Sequence, residues 1–242
     1  ILNQEYTDYE LLLVNDGSTD ASGDICEEYG DQDPRVIVIQ KENTGVSDSR
    51  NRAIDRARGK YLQFLDSDDW ITPDATESLV RAAVEDDCDL VIADFYRVNG
   101  KHYVEKKHIK KKDVMSREEF AMEMAEDPAD FYYGVMWNKL YRADIVHAHD
   151  DIICAEDMDW SEDLYFNLSY IRYAEKFYAL STPIYNYYNT PGSAVHTVLN
   201  PVNIVSTRAT LFAYYKELYE NLGLYEEYKP QIYKYLVAVA ES

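Results

Sequence analysis

Apolar runs alternate with polar, helix-like segments through the first ninety-odd residues of the chain. Four short runs rich in β-branched and aromatic residues predict strands, at residues 9–14, 35–39, 61–65 and 89–95. The segments between them, bounded by turn residues, predict helices at residues 20–29 and 46–58 and a third helix that begins near Thr72. Strands and helices that alternate at this spacing are typical of an α/β fold. We therefore predict a mixed, mostly parallel sheet flanked by helices.

The pattern changes after about residue 99. Residues 101–112 are highly charged and predict a loop or a hairpin, and Ser116 and Glu119 have the spacing of a capping box at the start of a helix. The other elements predicted in this half are a mixed region at 137–141, a helix at 164–173, an edge strand at 176–180, and a tyrosine-rich helical segment from about 201 with a break at Gly223. The chain thus ends in a predicted helical extension.

The chain of 242 residues is strongly acidic, because 24 Lys and Arg against 45 Asp and Glu give a formal net charge of −21 at pH 7. Proteins that bind duplexes neutralise phosphates with basic side chains, so this charge argues against nucleic acid and against an anionic membrane surface as partners. The basic stretch at 101–112 is too short to reverse the balance. A phosphate-bearing ligand would need a local device here, such as a metal ion.

The cysteines indicate the compartment. Cys26, Cys88 and Cys154 are odd in number and widely spaced, which favours a reducing compartment over a disulfide scaffold. No window reaches the roughly 20 apolar residues of a membrane-spanning helix. We expect a soluble protein of the cytoplasm. Because the chain opens at Ile1 inside a polar segment, we also expect it to be a fragment.

Three carboxylates follow the third predicted strand directly, at Asp66, Asp68 and Asp69. In an open parallel sheet, ligands bind beyond the carboxyl ends of the strands. Three carboxylates within four residues repel one another, and oxygen ligands of this type suit Mg²⁺ or Mn²⁺. The alternative interpretation is capping and turn chemistry before the next helix.

Two further side chains belong to the same predicted crevice. Asp16 ends the first strand, where its carboxylate can accept a hydrogen bond from a base or a ribose hydroxyl; the alternative is an ordinary Asp-Gly turn. Arg50 lies about one turn inside the second helix, whose N-terminus at Gly45 offers backbone N–H groups to an anion. Taken alone, Arg50 is better explained as a solvated helix charge, and only the set of motifs together favours a role in binding.

The motifs together resemble family 2 glycosyltransferases with the GT-A fold. The segments that carry the resemblance are LLLVNDGSTD at 11–20, NTG at 43–45, SRNRA at 49–53, GKYLQFLDSDDW at 59–70, WNKLY at 137–141 and SEDLYF at 161–166. Their order makes the set more specific than any one of them, and the resemblance covers some four-fifths of the chain.

The resemblance implies a role for each candidate residue. Asp16 would contact the uracil or ribose of a UDP-sugar, and Arg50 would lie near the nucleotide. The family's D-x-D motif corresponds to Asp66 and Asp68, with Asp68 the metal ligand for Mn²⁺ or Mg²⁺ and Asp69 a helper. The Glu-Asp pair of the family corresponds to two further residues, a substrate-binding Glu162 and a catalytic base, Asp163.

The resemblance also implies an organisation and a partner. Residues 1–98 would form the nucleotide-sugar-binding half of the domain, residues 99–185 its acceptor-binding half, and residues 186–242 a C-terminal helical segment. Family members begin with a further strand and helix before the counterpart of Ile1, and we expect that the sequence begins after both. The expected reaction is an inverting transfer from a UDP-sugar to a glycan or lipid-linked acceptor in cell-surface polysaccharide synthesis, in the cytoplasm or at the inner face of the membrane, with peripheral membrane association as one option.

Other readings compete with this one. A haloacid-type phosphatase also places D-x-D after a strand, but its second Asp is normally followed by Thr or Val, whereas Asp68 precedes Asp69. A nucleotidyltransferase would need a glycine-rich basic loop near its first strand, and the sequence has none. A catalytically inactive module that binds sugar nucleotides or glycans is the main alternative.

The histidines and tyrosines add little to these hypotheses. His147 and His149 have metal-like spacing on a predicted strand, but without a further His or Cys partner we interpret them as a surface pair. His196 lies in a loop that could close over a diphosphate. Most of the 23 tyrosines are predicted to pack in the core or to be half-buried.

Overall fold

In the computed structural model, residues 1–111, 113–158, 161–189 and 201–237 are described. The strands in chain order are β1 Leu11–Asp16, β2 Val36–Lys41, β3 Tyr61–Gln63, β4 Trp70–Ile71, β5 Leu90–Asn99, β6 His102–Lys106, β7 Met115–Ser116, β8 Lys139–Arg142 and β9 Lys176–Tyr188. The helices are α1 Ser22–Gln32, α2 Val46–Arg56, α3 Ala75–Glu85, α4 Arg117–Glu126, α5 Phe131–Gly134, α6 Ala143–Ala148, α7 Glu162–Ile171, α8 Pro201–Asn221 and α9 Tyr225–Val237.

The described strands form two sheets. β1 and β2 pair in parallel, and the larger sheet has the order β3-β8-β5-β9-β4, with β6 added to β5 and β7 to β9. The predicted mixed sheet with flanking helices is confirmed. However, β5–β9 is the one parallel pair of the larger sheet within the described strands, so antiparallel pairs outnumber the parallel ones that we predicted. One physical reason is visible at Gly100, where a tight turn with φ 59° leads β5 directly back into β6.

Strand β9 corrects the expectation of a short edge strand at 176–180. β9 continues to Tyr188 and lies inside the sheet, between β5 and β4. Pro183 lies within β9 although it cannot donate a ladder hydrogen bond. The strand accommodates Pro183 in an irregularity, since pairing jumps from Leu180 opposite Ala93 to Tyr185 opposite Phe95 and then continues in register.

The core lies around β5, α3, α4 and α7 and is rich in aromatic side chains. Phe120 stacks on Phe177 with ring centroids 4.5 Å apart, and Phe166 is fully buried. The predicted capping box of α4 is present, because Ser116 and Glu119 exchange side-chain-to-backbone hydrogen bonds. The tyrosine-rich end folds as α8 and α9, and the hydroxyls of buried Tyr215 and Tyr219 donate to Pro128 O and Ala121 O. The core interpretation of these tyrosines is confirmed.

Candidate functional site

Residues 66–69, called the acidic turn below, follow β3 and are hydrogen-bonded to β9. Asp69 accepts hydrogen bonds from the Tyr185 hydroxyl and from Tyr188 N, both at 2.7 Å, and Asp66 N donates to the Tyr185 oxygen at 3.2 Å. Burial raises the pKa of Asp69 to about 6. Asp69 therefore holds the turn that carries Asp66 and Asp68 against β9.

Arg50 draws three of the predicted site carboxylates together. Its Nη2 lies 3.1 Å from Asp66 Oδ1, and its Nη1 lies 3.2 Å from Glu162 Oε1 and 2.5 Å from Asp163 Oδ1. These four residues, called the Arg50 cluster below, come from α2, the acidic turn and the first turn of α7. The Arg50 side chain is 13% exposed. Arg50 thus contacts carboxylates that lie 16 and 112 residues away in the sequence.

The Arg50 cluster carries more negative than positive charge. Burial raises the pKa of Asp66, and the neighbouring Asp163 and Asp68 add to this rise while Arg50 opposes it. Burial likewise raises the pKa of Glu162, with Asp163 adding and Arg50 opposing. For Arg50, burial lowers the pKa, but the three carboxylates more than offset this and keep it charged. Three carboxylates around one guanidinium leave a local excess of negative charge that favours a further cation.

Asp163 is held from two sides at the start of α7. Its Oδ2 accepts a hydrogen bond from Met136 N at 3.0 Å, while Oδ1 contacts Arg50. Ser161 precedes the helix in a left-handed conformation at φ 63° and makes no side-chain cap hydrogen bond, so it does not cap α7. Each carboxylate oxygen has two lone pairs, so both contacts leave Asp163 able to accept a proton.

Asp16 lies in a separate network at the end of β1. Its carboxylate accepts from Thr44 N at 2.9 Å and Gly45 N at 3.0 Å, and the Lys41 ammonium contacts it as well. Burial acts to raise the pKa of Asp16, but Lys41 and the two backbone N–H groups lower it overall. No hydrogen bond or ion pair in the described part of the chain joins Asp16 to the Arg50 cluster. Asp16 fixes the loop that leads into α2.

Sequence reasoning missed Lys41, Ser47 and the anchoring role of Asn51. The Lys41 side chain is 1% exposed and pairs with Asp48 at 3.0 Å as well as with Asp16. Asn51 exchanges two hydrogen bonds with the backbone of Cys154, and the Ser47 hydroxyl donates to Ala155 O. α2 therefore carries Arg50 and also fastens the acidic loop that precedes α7. The one available signal in the sequence was that Lys41 follows the second predicted strand, as Asp16 ends the first.

An aromatic stack backs the acidic turn. The Trp137 ring lies nearly parallel to Tyr185, with centroids 4.2 Å apart, and to Tyr187, at 5.6 Å. Because the Tyr185 hydroxyl also binds Asp69, Trp137 of the WNKLY motif supports the acidic turn by packing against Tyr185. The sequence had placed this motif only in a mixed region.

Within the ranges described above, no group of three or more His, Cys, Asp or Glu side chains is arranged to hold a metal ion. His147 and His149 lie at and after the end of helix α6 rather than on a strand; His147 contacts Ile54 O at 3.1 Å and His149 stacks on Tyr173. These contacts explain both histidines without a metal. His196 lies outside the described residues.

Of the helices that can be described, none is long and apolar enough to cross a bilayer.

Comparison with known proteins gives matches of two kinds, the first of them in sequence. The family model "Glycosyl transferase family 2" matches residues 1–149. The putative glycosyltransferase EpsH of Bacillus subtilis is 34% identical over 198 residues, 76% of this chain and 54% of that protein. The glycosyltransferase GlyA of Streptococcus pneumoniae is 31% identical over 259 residues, 99% of this chain and 34% of that protein. The chain thus spans about half or less of the length of these relatives.

Solved structures share the fold. TarS of S. aureus in complex with UDP-GlcNAc has a TM-score of 0.73 at 21% identity, covering 88% of this chain and 59% of that one. The mannosyltransferase PcManGT from Pyrobaculum calidifontis, in complex with GDP-Man and Mn²⁺, has a TM-score of 0.53 at 13% identity, covering 98% and 68%. At these identities the likeness concerns the fold, and it agrees with the predicted GT-A class.

Proposed function

Because the chain belongs to glycosyl transferase family 2, we propose that it transfers a sugar from a UDP-sugar to a hydroxyl of a glycan or lipid-linked acceptor with inversion. The family and the glycosyltransferase class that the motifs predicted are confirmed. Donor, acceptor, metal and the role of each residue belong to the proposal, as does a place in bacterial cell-surface polysaccharide synthesis in the cytoplasm or at the inner membrane face.

The observation that carries the proposal is the Arg50 cluster. It brings Asp66 of the acidic turn within 3.1 Å of the same guanidinium that lies 2.5 Å from Asp163. A group-transfer site needs a leaving-group side and a proton-accepting side close together. Asp66 and Asp68 supply the first and Asp163 the second.

The donor would lie across the carboxyl ends of β1 and β3. Asp16 would accept a hydrogen bond from the uracil or the ribose, and it is already oriented by Thr44 N and Gly45 N. Arg50 and Glu162 would lie beside the diphosphate and the sugar. The UDP complexes of TarS support a UDP-sugar as the donor class.

The residues present fit a divalent ion. Asp66 and Asp68, which correspond to the family's D-x-D motif, are the carboxylates that would hold Mn²⁺ or Mg²⁺, while Asp69 binds Tyr185 and Tyr188 and supports the turn. Two carboxylates are enough for such an ion when substrate phosphates complete its shell, which explains why no site of three protein ligands is needed. When bound, the ion would supply positive charge against the charge that develops on the departing diphosphate.

Asp163 would act as the general base. The acceptor oxygen attacks the anomeric carbon as its proton passes to Asp163, and the bond from that carbon to the β-phosphate oxygen breaks with its electron pair on UDP. A single displacement inverts the anomeric centre. Arg50 holds the orientation of the carboxylate through a charge-assisted hydrogen bond.

The test is UDP release. We expect the protein with Mn²⁺ to release UDP from at least one member of a panel of UDP-sugars, and calorimetry to detect UDP binding. Asp68→Asn should abolish metal-dependent UDP binding, whereas Asp157→Asn, an exposed carboxylate of the acidic loop, should retain it.

Other outcomes discriminate among the hypotheses. The absence of both UDP release and UDP binding with every donor would contradict the proposal. UDP binding without release would instead favour the inactive sugar-nucleotide-binding module.

A further inference from the structure

Lys139 is a buried cation to which the reaction described above gives no role. It belongs to the WNKLY motif at the start of β8, and its residue is 1% exposed. Its ammonium donates to Tyr132 O at 3.1 Å, to Asn138 Oδ1 at 2.8 Å and to Val135 O. All three partners are uncharged oxygen atoms, so simple ion pairing does not explain why a lysine is buried here.

The geometry fits the charged form of Lys139. An ammonium group has three donors and a neutral amine has two, and three acceptors surround Nζ. Burial lowers the pKa of Lys139 to about 7, against the effect of the nearby Asp163 and Asp130, which raise it. A buried charge is costly to maintain. Its hydrogen bonds therefore need a function that an apolar side chain of similar size would not provide.

The carbonyl groups that Lys139 binds belong to one short segment, residues 132–136, called the base-side turn below. The same turn is bound from α7 by Asn167, whose Nδ2 lies 3.1, 2.7 and 3.2 Å from three successive carbonyl oxygens of Tyr133, Gly134 and Val135. Tyr141 in turn orients Asn167 through a 2.6 Å hydrogen bond. Two buried side chains thus gather the carbonyl groups of the turn on one side.

Gathering these carbonyl groups determines where the next N–H group points. The base-side turn ends at Met136, whose N–H donates to Asp163 Oδ2 at 3.0 Å. That hydrogen bond orients the carboxylate from the side opposite Arg50. A looser turn would release Asp163 on this side while leaving the acidic turn and Asp16 in place, since they are held by other contacts.

We propose that Lys139 is a positioning residue: it holds the base-side turn so that Met136 N–H fixes the Asp163 carboxylate. Its value for the reaction rests on the proposed function, in which Asp163 is the base. The positioning itself does not, because the hydrogen bonds from Lys139 to Tyr132 O and Val135 O and from Met136 N to Asp163 are present without substrate. A hydrogen-bonded neighbour that orients a base commonly contributes about 10-fold to 100-fold in rate.

The test compares Lys139→Met with Tyr219→Phe. The first removes the donors and the charge but keeps the volume of the side chain. The second removes one buried hydrogen bond to a carbonyl group, Ala121 O, between α8 and α4. For Lys139→Met we expect amide exchange of Met136 about 10-fold faster or more, kcat lower by about 10-fold to 100-fold, and the KM for the UDP-sugar within about 2-fold. Tyr219→Phe should leave all three unchanged.

Several results would overturn the proposal. Unchanged Met136 exchange in Lys139→Met, or the same increase in both variants, would do so, as would a loss of kcat matched by an equal loss of UDP affinity. If Lys139→Met does not fold, Lys139→Gln keeps two donors, and an intermediate rise in Met136 exchange is expected of it. If the wild-type protein releases no UDP but Lys139→Met still accelerates amide exchange at Met136, the proposed function is refuted and the positioning role of Lys139 is retained.

Discussion

The region that holds Asp16 and the region that holds Asp163 are built differently. In residues 1–60, every residue of β1 is half-buried and α1 has no buried residue. Further along, six consecutive residues of β5 are buried, and so are seven of the ten residues of α7. Apolar burial dominates stability, so the first region opens more readily than the second.

The difference places the two tasks of the site in different environments. The base-side carboxylate lies on a helix packed into the core, where small displacements are resisted. The nucleotide-side carboxylate lies in a loop network of hydrogen bonds that can adjust to a ligand. α2 joins the two, because Arg50, Asn51 and Ser47 all reach from the first region to the second.

The largest expected effect tests this division of labour. Asp163→Asn should lower the rate of transfer about 10³-fold, because it removes the proton acceptor, and should leave UDP affinity unchanged. Asp16→Asn should do the reverse, weakening UDP binding about 10-fold with little change in kcat at saturating donor. Steady-state kinetics and calorimetry on both variants measure the contrast. Full activity in Asp163→Asn would remove Asp163 from the role of base.

The next effect concerns the link between the regions. Arg50→Gln leaves three carboxylates without their cation, and we expect a loss of about 3 kcal/mol in the free energy of unfolding at pH 7.5, moderated because Asp66 is 36% exposed. Urea unfolding measures it. Arg52→Gln, on the same helix with a side chain 51% exposed, is the matched control and should cost less than about 0.5 kcal/mol.

The pH dependence of Arg50→Gln has a definite sign. In the folded protein, burial already raises the pKa of Asp66 and Glu162 above their ordinary values, and loss of Arg50 raises it further. The folded state then binds more protons than the unfolded state above the ordinary carboxyl range, so stability falls as pH rises. The deficit of Arg50→Gln should therefore be smaller at pH 5 than at pH 7.5. An equal deficit at both values would mean that Arg50 acts through packing rather than charge.

How far the sequence predicts this molecule depends on whether a signal is local. The acidic turn, the Asp-Gly turn after β1 and the capping box of α4 follow from neighbouring residues, and the structure has them where they were predicted. The pairing of Arg50 with Asp163 joins residues 113 apart. Only the family resemblance placed both near the substrate, and their direct contact was not foreseen.

The features that the sequence did not reveal depend on tertiary context. β9 continues past Pro183 because residues 181–184 form a bulge opposite the single residue Asp94. This bulge depends on the pairing with β5, which the sequence of β9 does not show. The burial of Lys139 was hidden because two of its three partners are backbone carbonyl groups, which carry no sequence signal. The strand order was hidden for a similar reason, since pairing partners far apart in sequence decide which strands are parallel.

The smallest expected effect tests the weaker of the two regions directly. Gly17 has φ 65°, and a Cβ added to it would lie 2.6 Å from Asn43 N in the loop that Asp16 binds. Gly17→Ala should cost about 2 kcal/mol, because it combines a left-handed backbone with a clash against the backbone of Asn43. Amide exchange should accelerate in β1 and β2 before it does so in β5.

Gly134→Ala is the control for this comparison, since an added Cβ there meets nothing within 4 Å and the residue is helical. We expect its stability within about 0.5 kcal/mol of the wild type. If Gly17→Ala accelerated exchange equally in β1 and β5, the two regions would open as one unit, because a local strain would then be shared by the whole core. Acceleration confined to β1 and β2 would mean that the nucleotide side can yield while Asp163 stays fixed.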